Sequence, residues 1–184
     1  VIPKLKHPYI ISDYCIGANG SVDTVCLYSD VPIHEIESIG LDYQSRTSVE
    51  LLKLLLKDYW NLNPIFINEE VGFEDEIKGN HAALVIGDRA FTMNDKHEFI
   101  YDLSAIWTEM TGLPFVFAAW VSNSQLSQDF INAFNKALEN GLTNIDRALA
   151  IEKDSYPNCK NPEDYLNNKI SYSLDYDKRK GMEL

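Results

Sequence analysis

The chain has 184 residues, enough for one compact unit or two small lobes, and its 45% hydrophobic and 11% aromatic content excludes a disordered segment and permits a packed core. Its 28 acidic against 16 basic side chains give a formal net charge of −12. Such a surface repels nucleic acid and anionic membrane, because polyphosphate binding needs clustered lysine and arginine.

The one concentrated basic run, Lys178-Arg179-Lys180, is read as a weak surface patch. A small anionic ligand stays compatible with the composition, since one arginine and a helix N-terminus act locally whatever the global charge. Cys15, Cys26 and Cys159 lack CxxC spacing and leave an odd one if two pair, so reduced thiols in a cytoplasmic protein are expected. The longest apolar stretch, Leu113 to Val121, is too short to span a bilayer. The chain opens at Val1 with no Met, which leads us to expect sequence upstream.

In chain order, residues 22–29 read as an apolar strand after a flexible Gly17-Ala18-Asn19-Gly20, and residues 39–42 as a short second strand. A helix is expected from Thr47 to about Tyr59. Thr47-Ser48-Val49-Glu50 fits a capping box, and Leu51, Leu52, Leu55 and Leu56 follow at helical spacing. Strands are expected at 64–67, 82–86, 98–103 and 115–121, with short helices at 73–78 and 104–110. Phe130, Ile131, Phe134 and Leu138 mark a long helix that Gly141 should stop. Helices at 144–152 and 162–168 and a late strand at 170–174 complete the pattern. Alternating strands and helices with short connections imply an α/β fold with mixed, mainly parallel sheets. In such sheets ligands sit at the carboxyl ends of strands, often against helix N-termini.

That rule selects three segments. Gln44-Ser45-Arg46-Thr47-Ser48 offers three hydroxyls, a guanidinium and free backbone amides between a strand and a helix. Carboxylates suit such a place because they accept several N–H bonds at once; the same residues also suit a plain helix cap. Asp88, after Ile86-Gly87, suits orienting a substrate hydroxyl or holding Arg46 or Arg89, and equally suits capping a short helix near Arg89 to Phe91. Gly17 and Gly20 suggest backbone that bends or approaches something closely, with Ser21 and Thr24 placing hydroxyls near a strand start. His7, His34, His81 and His97 have no metal-ligand spacing, and no Walker loop or G-x-S-x-G elbow occurs. We therefore expect no metal and no cofactor. Trp107, Phe115, Phe117 and Trp120 read as core, with Phe115 and Phe117 on one face of a strand. Glu69-Glu70 and Glu74-Asp75-Glu76 read as solvated surface.

Five segments in order resemble one family: Cys15-Ile16-Gly17 with Gly20 and Val22; Ser45-Arg46-Thr47-Ser48 with Leu51-Leu52; Ala83 to Asp88; Tyr101-Asp102-Leu103; and Trp107 with Thr111 to Ala118, closing on Trp120. Together they resemble the MqnA branch of the menaquinone-biosynthesis family, the chorismate dehydratases. The resemblance implies a periplasmic binding protein-like type II fold of two lobes with the ligand in the cleft. One lobe is expected at 24–117 and the other at 1–23 with 118–184. Family members carry a longer N-terminal segment, with a strand of the outer lobe and an active-site Asn, that this chain lacks. Implied substrate contacts are Gly20, Ser45, Arg46, Thr47, Ser48, Gly87 and Asp88, with Thr24 as the catalytic hydroxyl where relatives often carry Ser. The sister MqnD branch has a His where Gly87 stands, which disfavours that reaction here. A non-catalytic solute-binding protein for a small carboxylate is the rival from another class.

Overall fold

The computed structural model describes residues 5–93, 95–152, 155 and 157–184. In chain order the strands are β1 (Tyr9–Ala18), β2 (Val25–Ser29), β3 (Ser38–Leu41), β4 (Ile65–Asn68), β5 (His81–Ile86), β6 (Phe99–Asp102), β7 (Phe115–Ser122) and β8 (Ser171–Ser173). The helices are α1 (Arg46–Asp58), α2 (Leu103–Thr111), α3 (Gln128–Leu142), α4 (Ile145–Ile151), α5 (Pro162–Asp164) and α6 (Tyr176–Gly181). Two compact units result, one of residues 1–19, 113–155 and 161–184 and one of residues 20–112 and 156–160. The chain thus passes between units at Asn19–Gly20 and Gly112–Leu113.

The second unit is a five-stranded sheet in the order β4-β3-β5-β2-β6. Its strands β3 and β4, and β3 and β5, are parallel, whereas β2 runs antiparallel to both β5 and β6. The sheet is mixed, as expected, but its two parallel and two antiparallel pairings correct the expectation that it is mainly parallel. A parallel neighbour needs a crossover, usually a helix, and α1 supplies one between β3 and β4. From β5 to β6 the chain travels through a 3-10 turn at Gly87–Thr92 instead and pairs beyond β2. Alternation along β2 and β5 then fills both faces. Cys26, Tyr28, Ala83 and Val85 join Phe73, Ile77, Ala90 and Met93 in one buried cluster. On α1 the spacing of Leu51, Leu52, Leu55 and Leu56 puts all four in the core, worth about 1.5–3 kcal/mol each in apolar burial.

One carboxylate joins the end of β6 to the start of β2. Asp102 caps α2, its Oδ1 accepting from the amides of Ser104 and Ala105, both at 3.0 Å. Its Oδ2 accepts from the amides of Val22 (2.8 Å) and Asp23 (2.7 Å) and from the Ser21 hydroxyl (3.1 Å). That grip holds Asp23 at φ +66, a left-handed conformation that carboxylate and amide side chains tolerate better than most.

The first unit is a wholly antiparallel sheet, β7-β1-β8. Strand β1 is absent from the sequence expectation. Ser12 and Asp13 interrupt its apolar run, and its pairing with β7 shifts register twice, so no clean alternation signals it. Gly17 and Ala18 belong to this strand and are buried, not part of a flexible loop. Gly17 is required there: a Cβ would lie 2.7 Å from the Phe115 carbonyl oxygen and 3.2 Å from Lys178 Cε. Lys178 is 2% exposed, which corrects the reading of the basic run as surface at that residue, while Arg179 and Lys180 are exposed. The Lys178 ammonium donates to Asp175 Oδ2 at 3.0 Å while Asp175 Oδ1 caps α6. Burial pushes the Asp175 carboxyl up, but the Lys178 amide and ammonium outweigh this and hold it below the usual range. Helix α3 continues through Gly141 to Leu142, so that glycine does not stop it. Asn135 on α3 locks to β1, its Oδ1 accepting from the Ser12 hydroxyl (2.9 Å) and its Nδ2 donating to Asp13 Oδ2 (2.8 Å).

Two expectations test these packing claims. Gly17→Ala should lower stability by about 1–3 kcal/mol through forced backbone overlap, whereas Gly141→Ala, whose Cβ meets open space in a helix, should raise it by about 0.5–1 kcal/mol; paired thermal melts decide, and equal shifts would refute the close approach. Asp102→Ala should cost about 2–4 kcal/mol, a lost cap plus orphaned amides. Urea unfolding measures it, and a loss of only a few tenths would mean that water replaces the carboxylate.

Candidate active site on the second unit

Strand directions decide which residues gather. Strands β3 and β5 are parallel, so their carboxyl ends share one edge of the sheet, and the Val25–Ile86 pairing brings the start of antiparallel β2 to that same edge. The Cys26–Asp102 pairing adds the end of β6. Gly20, Thr24, Ser45 to Ser48, Gly87 and Asp88 therefore stand at or beside one end of one sheet.

Ser45 is the N-cap of α1, correcting the expected cap at Thr47. It is extended (φ −131, ψ 116), its Oγ accepts from the Ser48 amide at 3.1 Å, and it donates to Ser48 Oγ at 2.9 Å. The cap lies two residues earlier, and the helix starts at Arg46, because Ser45, with Ser48 three residues on, satisfies the cap at the exit of the loop. Ser48 is buried; Arg46 and Thr47 are exposed on the first turn, whose amides have no earlier carbonyl to bond. That leaves donors and the positive end of the helix directed outward.

Thr24 is 4% exposed, and its carbonyl accepts from the Gly87 amide at 2.9 Å. Gly87 itself sits at φ +66, which favours glycine, and Gly20 at φ +94 donates its amide to the Thr108 hydroxyl at 3.2 Å. Asp88 is exposed in a 3-10 turn that has no side-chain cap, so it neither caps that turn nor pairs with Arg89.

Arg89 is held by residues that the sequence reading did not connect. Its Nη2 donates to Asp42 Oδ2 at 2.5 Å and to Gln44 Oε1 at 3.2 Å, and its Nη1 donates to Glu74 Oε1 at 2.6 Å. Glu74 is thus a partly buried ion-pair partner, and the reading of 74–76 as solvated surface is corrected at that residue. Glu69 is likewise partly buried, 3.6 Å from His81. The Arg89 guanidinium carbon lies 5.0 Å from the Tyr43 ring centre and 5.6 Å from that of Phe73. Burial works against its charge, yet Asp42 and Glu74 together raise its pKa above the ordinary arginine value. The available signal was an acid just after one strand (Asp42) and an arginine just after its neighbour (Arg89).

Cys26, Tyr28 and Trp107 are core, whereas Trp120, expected there, is not. Burial, then Asp102, pushes the Cys26 thiol far up, and burial does the same for Tyr28, whose hydroxyl donates to the Ala90 carbonyl. Trp107 is buried, while Phe115 and Phe117 meet edge-on at 4.9 Å, as their shared face requires; Trp120 is half exposed. Among the described residues no group of three His, Cys, Asp or Glu side chains is placed to hold a metal, and no helix is long and apolar enough to cross a membrane.

Among known proteins, the chain is similar to the chorismate dehydratase of Thermus thermophilus, at 32% identity covering 63% of this chain and 49% of that protein. In structure it is similar to protein AF1704 of Archaeoglobus fulgidus, with a TM-score of 0.50 and 19% identity, covering 88% of this chain and 55% of that one; that likeness concerns the fold alone. The chain spans about half the length of the relatives it matches. Residues 2–184 match the model described as menaquinone biosynthesis, and the chain belongs to that family.

Proposed function

We propose that the protein is a chorismate dehydratase of menaquinone biosynthesis, a hydro-lyase that converts chorismate to 3-[(1-carboxyvinyl)oxy]benzoate and water on a type II periplasmic binding protein-like fold. The observation that carries this reading is the convergence of Thr24, the donor-rich Ser45–Ser48 loop and the Gly87–Asp88 turn on one end of the sheet. It is supported by the likeness to the chorismate dehydratase of Thermus thermophilus.

The chemistry asks for positioning more than for strong acid. Loss of the ring hydroxyl with the proton of the neighbouring ring carbon aromatises the ring, so the step is downhill once the groups are aligned. The Ser45–Ser48 amides and hydroxyls hold a substrate carboxylate, and the exposed Arg46 adds charge. Gly20, Gly87 and Asp88 shape the wall. Thr24 hydrogen-bonds the reacting region or the departing hydroxyl, with the substrate's own enolpyruvyl carboxylate taking the proton. Gly87 at φ +66 leaves little ease for the His of the sister branch at that position.

Incubation of the natural full-length protein with chorismate, metal chelated, should yield the aromatic enolpyruvyl ether with loss of one water, followed by chromatography and mass. Binding without turnover would favour a solute-binding role, and no binding would refute chorismate as the ligand. Thr24→Val should cut kcat by about a hundredfold, the scale of one transition-state hydrogen bond, with KM nearly unchanged. Equal losses in binding and turnover would remove Thr24 from catalysis.

A further inference from the structure

The Asp42–Arg89 pair lies where the sheet's own bonding runs out. Strands β3 and β5 pair through Ser38–His81, Ile39–Ala82 and Gly40–Ala83, and the ladder stops there. Yet β3 continues to Leu41 and β5 to Ile86. Beyond the last pair, the side chain of Asp42 spans the two exits. Its Oδ1 accepts from the Gln44 amide at 2.8 Å, and its Oδ2 accepts from the Ile86 amide at 3.0 Å. Gln44 immediately precedes the Ser45 cap, and Ile86 immediately precedes Gly87. One fully buried carboxylate therefore sets the spacing of the two loops that carry Ser45–Ser48 and Gly87–Asp88.

A buried carboxylate needs a countercharge, and Arg89 supplies it with its fork divided among three oxygens, of Asp42, Gln44 and Glu74. The Tyr43 and Phe73 rings beside it meet at 84° and restrict the guanidinium further. Net stability is a weak reason for such a pair, since desolvation offsets much of the attraction. Fixed geometry is the stronger one. Arg89 is also poorly suited to bind an anion itself, because two carboxylates already claim its charge.

We propose that Arg89 is a positioning residue for the reaction. Acting through Asp42, it fixes the α1 N-terminus against the Gly87 turn so that both meet the same substrate. The inference rests on the chorismate reading above. A lysine at 89 would keep the charge for Asp42 but cannot reach three oxygens in one plane.

The test uses the full-length protein, with wild type, Arg89→Lys and Arg89→Ala assayed side by side on chorismate. In Arg89→Lys we expect KM to rise about tenfold or more, since contacts that hold the substrate carboxylate in ground and transition states alike are weakened, while kcat changes by less than about threefold and the protein stays folded. In Arg89→Ala, guanidinium ion at sub-denaturing concentration should bring KM back toward wild type. Hydrogen exchange should quicken at the Gln44 and Ile86 amides in both variants, with the core amides of Leu27 and Leu84 unchanged. A lowered Tm with wild-type KM in the lysine variant would overturn the proposal, leaving Arg89 a merely structural residue. Wild type that fails to turn over chorismate would overturn the dehydratase reading, and this assignment with it. Wild-type turnover with normal KM in both variants would overturn this assignment alone.

Discussion

The Asp102 carboxylate accepts from four backbone amides and from the Ser21 hydroxyl and the Cys26 thiol, and the candidate-site end of the second unit depends on that saturation. Both oxygens are engaged, one with the start of α2 and the other with the turn that leads into β2. The turn has no ladder of its own, and its Asp23 adopts a left-handed conformation. Without the carboxylate, Thr24 would follow a mobile loop. With it, Thr24 starts a strand buried at every position from Val25 to Ser29. The backbone bond from Gly87 to Thr24 carries the same order across to β5.

Asp42 repeats the device one strand further along. It accepts from two backbone amides and an arginine, so it too is a structural carboxylate. This resolves an electrostatic tension in the composition. A chain with net charge −12 is a poor host for any small anion, unless its acids are satisfied locally. Asp102 and Asp42 face donors within the protein, Glu74 faces Arg89, and the exposed first turn of α1 presents amides, hydroxyls and Arg46. Donors at that end are concentrated on the first turn of α1, while the exposed Asp88 keeps a negative charge beside them.

What could be read from the sequence was local. The leucine spacing of α1, the apolar run of β5 and the hydroxyl-rich loop before α1 are encoded within a dozen residues, and each stands close to where it was expected. The sheet directions could not be read in the same way. Pairing of β2 with β5 and β6 joins strands dozens of residues apart, and no local signal states a direction. The Asp42–Arg89 pair is hidden for a related reason, since its partners are 47 residues apart. Lys178 shows the opposite failure. Three basic residues in a row look like surface, but a glycine on β1 makes room for the aliphatic stem of one of them, as long cationic side chains allow.

The two units also differ in how their apolar surface is used. In the second unit the central strands β2, β3 and β5 are buried almost throughout, whereas β4 at the sheet's edge is exposed. In the first, α3 has a helical apolar stripe but no buried residue. Trp120, Phe130 and Phe134 stack against one another with the first two half exposed. Beside them lies an apolar cavity of about 520 Å³, lined by Cys15, Ala118, Leu138 and Tyr172 among others. Local opening is governed by such differences in buried apolar contact, so the second unit is the stiffer frame. Segments that must keep one geometry are best carried on the stiffer frame, because a misplacement of about one ångström can cost as much rate as losing a hydrogen bond. The placement of all the donor segments at one end of the second unit's sheet follows that logic.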